Sequence, residues 1–394
     1  MIELTREQET IRQTVKRICR EKLAPRAAEM DRTGEFPWDI LREFATAGIT
    51  HMFFPVEYGG LGEDLVTSTM VVEEIARVNA ATAHTFTGIA NSRLPLLIAG
   101  TDEQKGRYMP MLTREVAVTC LSITEPNAGS DVAGMETRAV RDGDSYVLNG
   151  RKCFATNGSF ALLYFIFAVT TPGAGARGIS CFLVERGTPG LRPGRVEDKV
   201  GLRASNVSEL ILEDVRVPAT NRLGGEGDGF KICMRALDKA RLDAAALGVG
   251  LAQGALDYAV AYAKGRVQFK QPVAEFQGMQ FLFADMATSV AAARALTYET
   301  ARRMQANDSS AAHLCAMAKL CGSDMAMKVT VDAVQALGGY GVLKDHPVER
   351  MMRDAKILQI FDGTNQIQRM IIARGLLGGA AGAARAATGG LNFS

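Results

Sequence analysis

Ala161-Leu162-Leu163-Tyr164-Phe165-Ile166-Phe167-Ala168-Val169-Thr170-Thr171 is the longest apolar run in the chain. It is too short to cross a bilayer, and its aromatic and β-branched residues suit a buried strand. Other short β-rich runs surround it at 116–123, 145–148, 153–156, 179–184 and 209–212. Turn signals such as Arg141-Asp142-Gly143 and Asn149-Gly150 separate them. This pattern predicts a small all-β domain, sandwich or barrel, over 116–225.

On both sides the period becomes helical. Upstream, Ile11, Val15 and Ile18 recur at three- and four-residue spacing, and further apolar-periodic segments follow at 40–47, 66–78 and 81–99. Breakers at Phe36-Pro37-Trp38 and between Pro55 and Gly62 divide them, so 1–115 is expected to be a helical domain. Downstream, the loop Gly224-Gly225-Glu226-Gly227-Asp228-Gly229-Phe230 returns the chain to helix, with long segments at 231–264, 276–304 and 311–337. Three or four such helices joined by short loops predict an antiparallel bundle over 226–376. The Gly/Ala-rich tail, 377–394, is expected to be flexible.

The totals bound the function. A length of 394 residues suggests two or three domains, and 47% hydrophobic with 22% charged residues is the composition of a soluble globular protein. The net charge of +2, with both signs interspersed, gives no electrostatic case for nucleic acid or an acidic membrane surface. Seven scattered cysteines with no CxxC pair read as reduced thiols in the cytoplasm. The four histidines stand at no ligand spacing, so no metal is expected. Met1-Ile2-Glu3-Leu4-Thr5-Arg6 carries charges where a signal peptide needs an apolar core.

Gly173-Ala174-Gly175-Ala176-Arg177-Gly178 matches GxGxxG, but the strand-like Ile179-Ser180-Cys181-Phe182-Leu183-Val184 follows where a dinucleotide site needs a helix. It is read as a hairpin loop. Leu121-Ser122-Ile123-Thr124-Glu125-Pro126-Asn127-Ala128-Gly129-Ser130-Asp131 breaks a β run into hydroxyls and glycine, donors that suit a polar cofactor edge and equally any loop. Near the C-terminus, Asp362 stands between an apolar run and Gly363-Thr364-Asn365-Gln366. By itself it is a turn or cap aspartate.

Three ordered motifs change that reading. The Ile123-Thr124-Glu125-Pro126 to Ser130-Asp131 loop, Arg266-Val267-Gln268-Phe269 with Phe276-Gln277, and Arg353-Asp354-Ala355-Lys356 to Thr364-Asn365-Gln366 together make the chain resemble the acyl-CoA dehydrogenase family over residues 1–376. The resemblance implies an α+β multidomain fold, with an N-terminal helical domain, a middle β domain and a C-terminal four-helix bundle, assembled as a homotetramer. It implies FAD between the β domain and the bundle, an acyl-CoA substrate, and an electron-transfer flavoprotein as electron acceptor.

Carried over by residue, the resemblance assigns Leu121, Ile123, Thr124 and Ser130 to a flavin-facing loop, with Ser130 also near the acyl-CoA. Phe154 and Thr156 form a second flavin contact; most relatives have Trp where Phe154 stands, which keeps stacking but loses an N–H donor. Arg266, Gln268 and Phe269 take the FAD pyrophosphate side, while Gln277 and Gln335-Ala336-Leu337-Gly338-Gly339 reach the FAD of the neighbouring subunit. Thr364 and Gln366 complete the cofactor contacts. Asp238 and Arg241 hold the CoA side of the substrate, and Gly363 offers a backbone N–H to polarise the thioester carbonyl.

Asp362 then becomes the expected base. Most relatives have Glu there, one methylene or roughly 1.5 Å longer. Some carry the base just before the arginine matching Arg241, where this chain has Ala240. Asp362 leaves three readings: a base for a substrate that sits closer, such as one with a ring or branch near the α-carbon; a nitroalkane-oxidase-like reaction; or weak or lost activity. The first is favoured because Arg241 persists. A non-catalytic, binding role of the kind suggested for DNA-binding relatives is disfavoured by the near-neutral charge. In the resemblance, the helical segment 82–93 matches the lining of the acyl tail; His84 is expected as a satisfied core histidine rather than a residue approaching a polar acyl end, and Arg93 as a solvent-facing cation rather than a partner for a carboxylated substrate.

Overall fold

The computed structural model describes residues 4–62, 64–114 and 116–378. Helix α1 (Arg6–Ile18) opens with a capping box: the Thr5 hydroxyl accepts the Gln8 N–H, and the Gln8 side chain accepts the Thr5 N–H. Helices α2 (Ala27–Thr33), α3 (Trp38–Thr46) and α4 (Leu65–Ala76) follow, the last capped by Asp64, whose carboxylate accepts the Thr67 N–H. The segment expected as one helix over 81–99 is two, α5 (Ala80–Ser92) and α6 (Leu94–Ala99). Pro95 explains the break, because it lacks an N–H and is tolerated only in a first turn. Helix α7 (Asp102–Arg114) completes the N-terminal region.

The sheet contains β1 (Thr119–Ser122), β2 (Arg138–Asp142), β3 (Ser145–Thr156), β4 (Leu163–Val169), β5 (Ile179–Glu185), β6 (Leu191–Val196), β7 (Val207–Pro218) and β8 (Arg222–Leu223). Its order is β6-β7-β3-β2-β4-β5-β8, with β1 parallel to β4. The opening apolar run forms β4, buried because β5 covers one edge and β1 and β2 the other. Leu163, Phe165 and Phe167 face the helices, while Tyr164, Ile166 and Ala168 face the sheet's own core. Asn149-Gly150, expected as a turn, lies inside β3, which runs on along β7. Glycine is required there because a Cβ would sit 2.4 Å from the Thr137 hydroxyl oxygen. Strands β2 and β6 were not visible in the sequence: both are mostly exposed and carry no apolar run. Gly173–Gly178 joins antiparallel β4 and β5, a hairpin loop as expected.

The C-terminal region holds α8 (Gly229–Gly265), the hairpin β9 (Val267–Gln268) and β10 (Gln271–Pro272), α9 (Gln277–Gln305), α10 (Ala311–Leu337), α11 (Val348–Leu358) and α12 (Asn365–Leu377). Helix α8 is long and apolar enough to cross a membrane, but most of that stretch is buried within the protein. It meets α10 at two glycines: a Cβ on Gly248 would lie 2.6 Å from the Gly322 carbonyl oxygen. On another side, Gly250 and Gly254 press against the backbone carbonyls of Glu73 and Arg77, each 2.2 Å from where a Cβ would stand. The N-terminal helices and the bundle therefore share one core. Most of the tail expected at 377–394 lies outside the described residues.

Candidate active site

The turn between α11 and α12 carries Asp362 at φ 54° and Gly363 at φ 89°. A left-handed non-glycine costs on the order of 1 kcal/mol or more and persists only where its surroundings hold it. They do so here. Lys319 Nζ donates to the Gly363 carbonyl and to Asn365 Oδ1, both at 2.8 Å. Gln368 Nε2 donates to the Gly363 carbonyl (2.9 Å) and the Asp362 carbonyl (3.3 Å). Asn365 Nδ2 donates in turn to Asp324 Oδ1 at 2.6 Å. The Gly363 N–H makes no hydrogen bond among the described residues.

Asp362 is half-buried, and burial pushes its pKa up to about 6. Lys319 and Arg241 pull the other way, while Asp243 adds to the rise. Lys319 is fully buried, and burial lowers its pKa to about 8 against the pull of Asp362 and Asp324. Arg241 is buried and donates to Asp238 Oδ1 at 2.6 Å, leaving its Nε without a partner. Asp243 is held by Lys239, whose Nζ lies 2.7 Å from both carboxylate oxygens. The result is a carboxylate with proton affinity near neutrality flanked by two cations, an arrangement suited to a general base. Ala240 is buried and supplies no alternative.

Lys319, Lys239 and Asp243 were missed from the sequence. A signal existed in each case: one cation within the apolar run 314–321, and an i,i+4 Lys–Asp pair inside an apolar helix.

Around β1, Leu121, Ile123 and Thr124 are half-buried and Ser130 is exposed. Glu125 anchors this loop, accepting the Glu136 N–H (2.6 Å), the Thr137 N–H (3.0 Å) and Lys152 Nζ (2.7 Å). Lys152 also donates to the Ile123 carbonyl at 3.1 Å, and the Cys153 N–H donates to the Thr124 carbonyl at 2.9 Å. The loop is thereby stitched to the end of β3, which carries Phe154 and Thr156. Phe154 is 65% exposed at φ 53°, an aromatic side chain held outward. Thr156 packs toward α5, where a Cβ on Gly88 would come within 2.9 Å of its Cγ2.

A second patch lies at one end of the bundle. The Arg266 guanidinium sits over the Tyr340 ring at 5.3 Å, and Phe269, 90% exposed, meets the edge of Phe276 at 6.0 Å. Gln268, Gln277, Gln335, Gly338 and Gly339 are exposed, and a Cβ on either glycine would meet nothing within 4 Å. Leu337 has its side chain in the core, so a contact there falls to its backbone. No hydrogen bond or ion pair joins this patch to the β1–β3 patch among the described residues. Thr364 accepts the Ile367 N–H at 3.3 Å as the cap of α12, and Gln366 is exposed.

On α5, His84 is buried. Its Nδ1 lies 2.8 Å from Ser205 Oγ, and its ring meets Phe361 edge-on at 5.0 Å. Arg93 corrects the expectation of a solvent-facing cation: it is 1% exposed, donates to the Ala117 carbonyl and lies over the Phe54 ring at 5.2 Å. Burial lowers its pKa to about 9. The reason is that α5 is enclosed by α4, α8 and β1, so its last turn cannot reach water.

The chain is similar to known proteins over nearly its whole length. The N-terminal, middle and C-terminal domain models of acyl-CoA dehydrogenase match residues 5–115, 120–215 and 227–377. Cyclohex-1-ene-1-carbonyl-CoA dehydrogenase of Geobacter metallireducens is 47% identical over 96% of this chain and 100% of its own length. Butyryl-CoA dehydrogenase from Megasphaera elsdenii superposes with a TM-score of 0.93 at 40% identity, covering 96% of this chain and 100% of that one. A chain from the solved structure of the electron transferring flavoprotein of Acidaminococcus fermentans does so with a TM-score of 0.93 at 42% identity, covering 96% and 99%. With all three domain models matched in order and near-complete cover at such identities, the chain belongs to the acyl-CoA dehydrogenase family.

Proposed function

We propose that this chain oxidises a short-chain, branched or alicyclic acyl-CoA to its α,β-unsaturated thioester, with Asp362 removing the α-proton. The observation that carries the reading is the pairing of Asp362, its pKa raised to about 6, with the unused N–H of Gly363 beside it. A carboxylate at that affinity is mostly ionised at neutral pH yet basic enough to take a carbon-bound proton from a polarised thioester. The Gly363 N–H accounts for the polarisation, since it can donate to the thioester oxygen as charge develops there. Arg241, fixed by Asp238, supplies positive charge on the CoA side.

The cofactor is FAD, which when bound accepts hydride from the substrate β-carbon. The residues fit it. Phe154 offers an exposed aromatic face, Thr124 and Thr156 offer hydroxyls, and the bare backbone at Gly338 and Gly339 leaves room for phosphates beside Arg266. The exposure of Gln268, Phe269, Gln277, Gly338 and Gly339 supports a cofactor site completed by a second subunit, in the homotetramer that the family resemblance implies. Electrons leave to an electron-transfer flavoprotein, and the enzyme works in the cytoplasm.

The short reach of Asp362 supports a compact or ring-bearing acyl group, because a misplacement of about 1 Å costs roughly a hundredfold in rate. The relatives named for cyclohexenecarbonyl-CoA and butyryl-CoA point the same way. Anaerobic titration tests the whole reading: a panel of short and alicyclic acyl-CoAs is expected to bleach the flavin within seconds. Bleaching by nitroalkanes alone would make the protein an oxidase of that type. Asp362→Asn is expected to keep its flavin and lose reduction by acyl-CoA; full reduction in that variant would place the base elsewhere.

A further inference from the structure

Helix α5 is buried on nearly every side, and the hydroxyls of Thr85, Thr87 and Ser92 are spent on carbonyls of the helix itself. The Thr82 hydroxyl is buried without a partner, and one further line of residues stands apart. His84, Gly88 and Asn91 stand at i, i+4 and i+7 and therefore share a face. Gly88 shows what that face meets: a Cβ there would come within 2.9 Å of Thr156 and 3.3 Å of Asn157 Nδ2. One turn earlier, His84 meets Phe361, the residue before Asp362. The face thus lies between the base turn and the end of β3, where an acyl group must sit if Asp362 is to reach its α-carbon.

Both polar side chains on this face keep unused hydrogen-bonding capacity. His84 bonds only through Nδ1, to Ser205, and its Nε2 has no partner among the described residues. Asn91 is buried, forms no side-chain hydrogen bond among the described residues, and leaves its Oδ1 without a partner. A wall built for a plain hydrocarbon would gain by placing Leu or Ile at these positions, since a buried polar group without a partner is destabilising. We propose that His84 selects an acyl group carrying a hydroxyl or ring carbonyl over the plain hydrocarbon of the same skeleton. This specificity rests on the acyl-CoA dehydrogenase reading.

Burial holds the His84 pKa down at about 4, so the ring is neutral at working pH and is not a receptor for a carboxylate. In the tautomer whose Nδ1 accepts from the Ser205 hydroxyl, Nε2 carries the proton and donates to a substrate oxygen; in the other, Nε2 accepts from a substrate hydroxyl.

Anaerobic stopped-flow reduction with cyclohexanecarbonyl-CoA and its ring-hydroxylated counterparts tests the inference. The wild type is expected to favour at least one hydroxylated substrate by roughly tenfold or more in kcat/KM. His84→Phe is expected to lower that ratio by roughly tenfold, and His84→Gln, which keeps a donor, to lower it less. Flavin content and melting temperature report whether each variant is folded, and the wild-type ratio decides the matter even if neither is. Equal or faster reduction by the hydrocarbon, or a ratio unmoved by His84→Phe, overturns the specificity while leaving the dehydrogenase intact. A flavin that no acyl-CoA reduces overturns both readings.

Discussion

Asp362 owes its raised proton affinity and its cost to the same burial. Its folded-state pKa of about 6 lies above the ordinary 3.8, so between those values the native chain binds more protons than the unfolded chain. Stability therefore falls as pH rises through that window, and the deficit persists above it. At about 1.4 kcal/mol per unit the deficit is at most about 3 kcal/mol, reduced because Asp362 keeps some solvent access. Two measurements follow. The kcat/KM profile should lose activity as pH drops below about 6, where the base becomes protonated. Asp362→Asn should melt a few degrees higher than wild type above neutrality, the gap closing toward pH 4; an equal or lower melting temperature at pH 8 would mean that the carboxylate is not strained by burial. The sequence could place a carboxylate on a turn and, through the ordered motifs, make it the expected base. It could not show Lys319 beneath the turn, because that contact joins residues 44 apart and is set by how α10 packs on α12. Arg93 misled for a related reason: its type suggests water, while the end of α5 that it caps is enclosed by neighbouring elements.

Elements with strong periodicity were legible to within a residue or two. The segment expected at 311–337 is α10 as observed, and α8 and α9 differ from expectation only at their ends. Failures gathered where a tertiary contact overrides a local signal, as at Asn149-Gly150, whose turn-like pair is glycine because Thr137 crowds it. The crossing of α8 and α10 is of the same kind. Alanine at 248 would gain up to about 1 kcal/mol of helix propensity. Its Cβ, however, would stand 2.6 Å from a backbone oxygen, an overpacking that costs about 1–3 kcal/mol. Gly248→Ala should therefore lower the melting temperature, and Gly248→Val should lower it further. A thermal melt that is unchanged for both would show that the helices can separate at no cost.

At the scale of the whole molecule, the order helix, sheet, helix was readable from the change of period at each boundary. The family resemblance also divided the expected cofactor residues between two subunits; what it could not show is which of them are exposed, because that depends on how sheet and bundle sit together. Phe269, 90% exposed beside Arg266, is the apolar centre of the outer patch. Phe269→Asp is expected to weaken subunit association and flavin retention together, read by light scattering on a sizing column and by the ratio of flavin to protein absorbance. Full assembly with full flavin content would remove that patch from the interface. The shared core has a further consequence, for the order in which the chain can fold. The backbone of α4 at Glu73, and that of Arg77 just beyond it, is closed by Gly250 and Gly254 of α8, on the far side of the entire sheet in sequence. While the chain is being synthesised, the first helices pack on one another but must wait with the α8-facing part of their apolar surface uncovered until α8 has emerged. The N-terminal region is thus early in sequence but late in folding, and the nascent chain stays exposed to aggregation for as long as the sheet takes to be made.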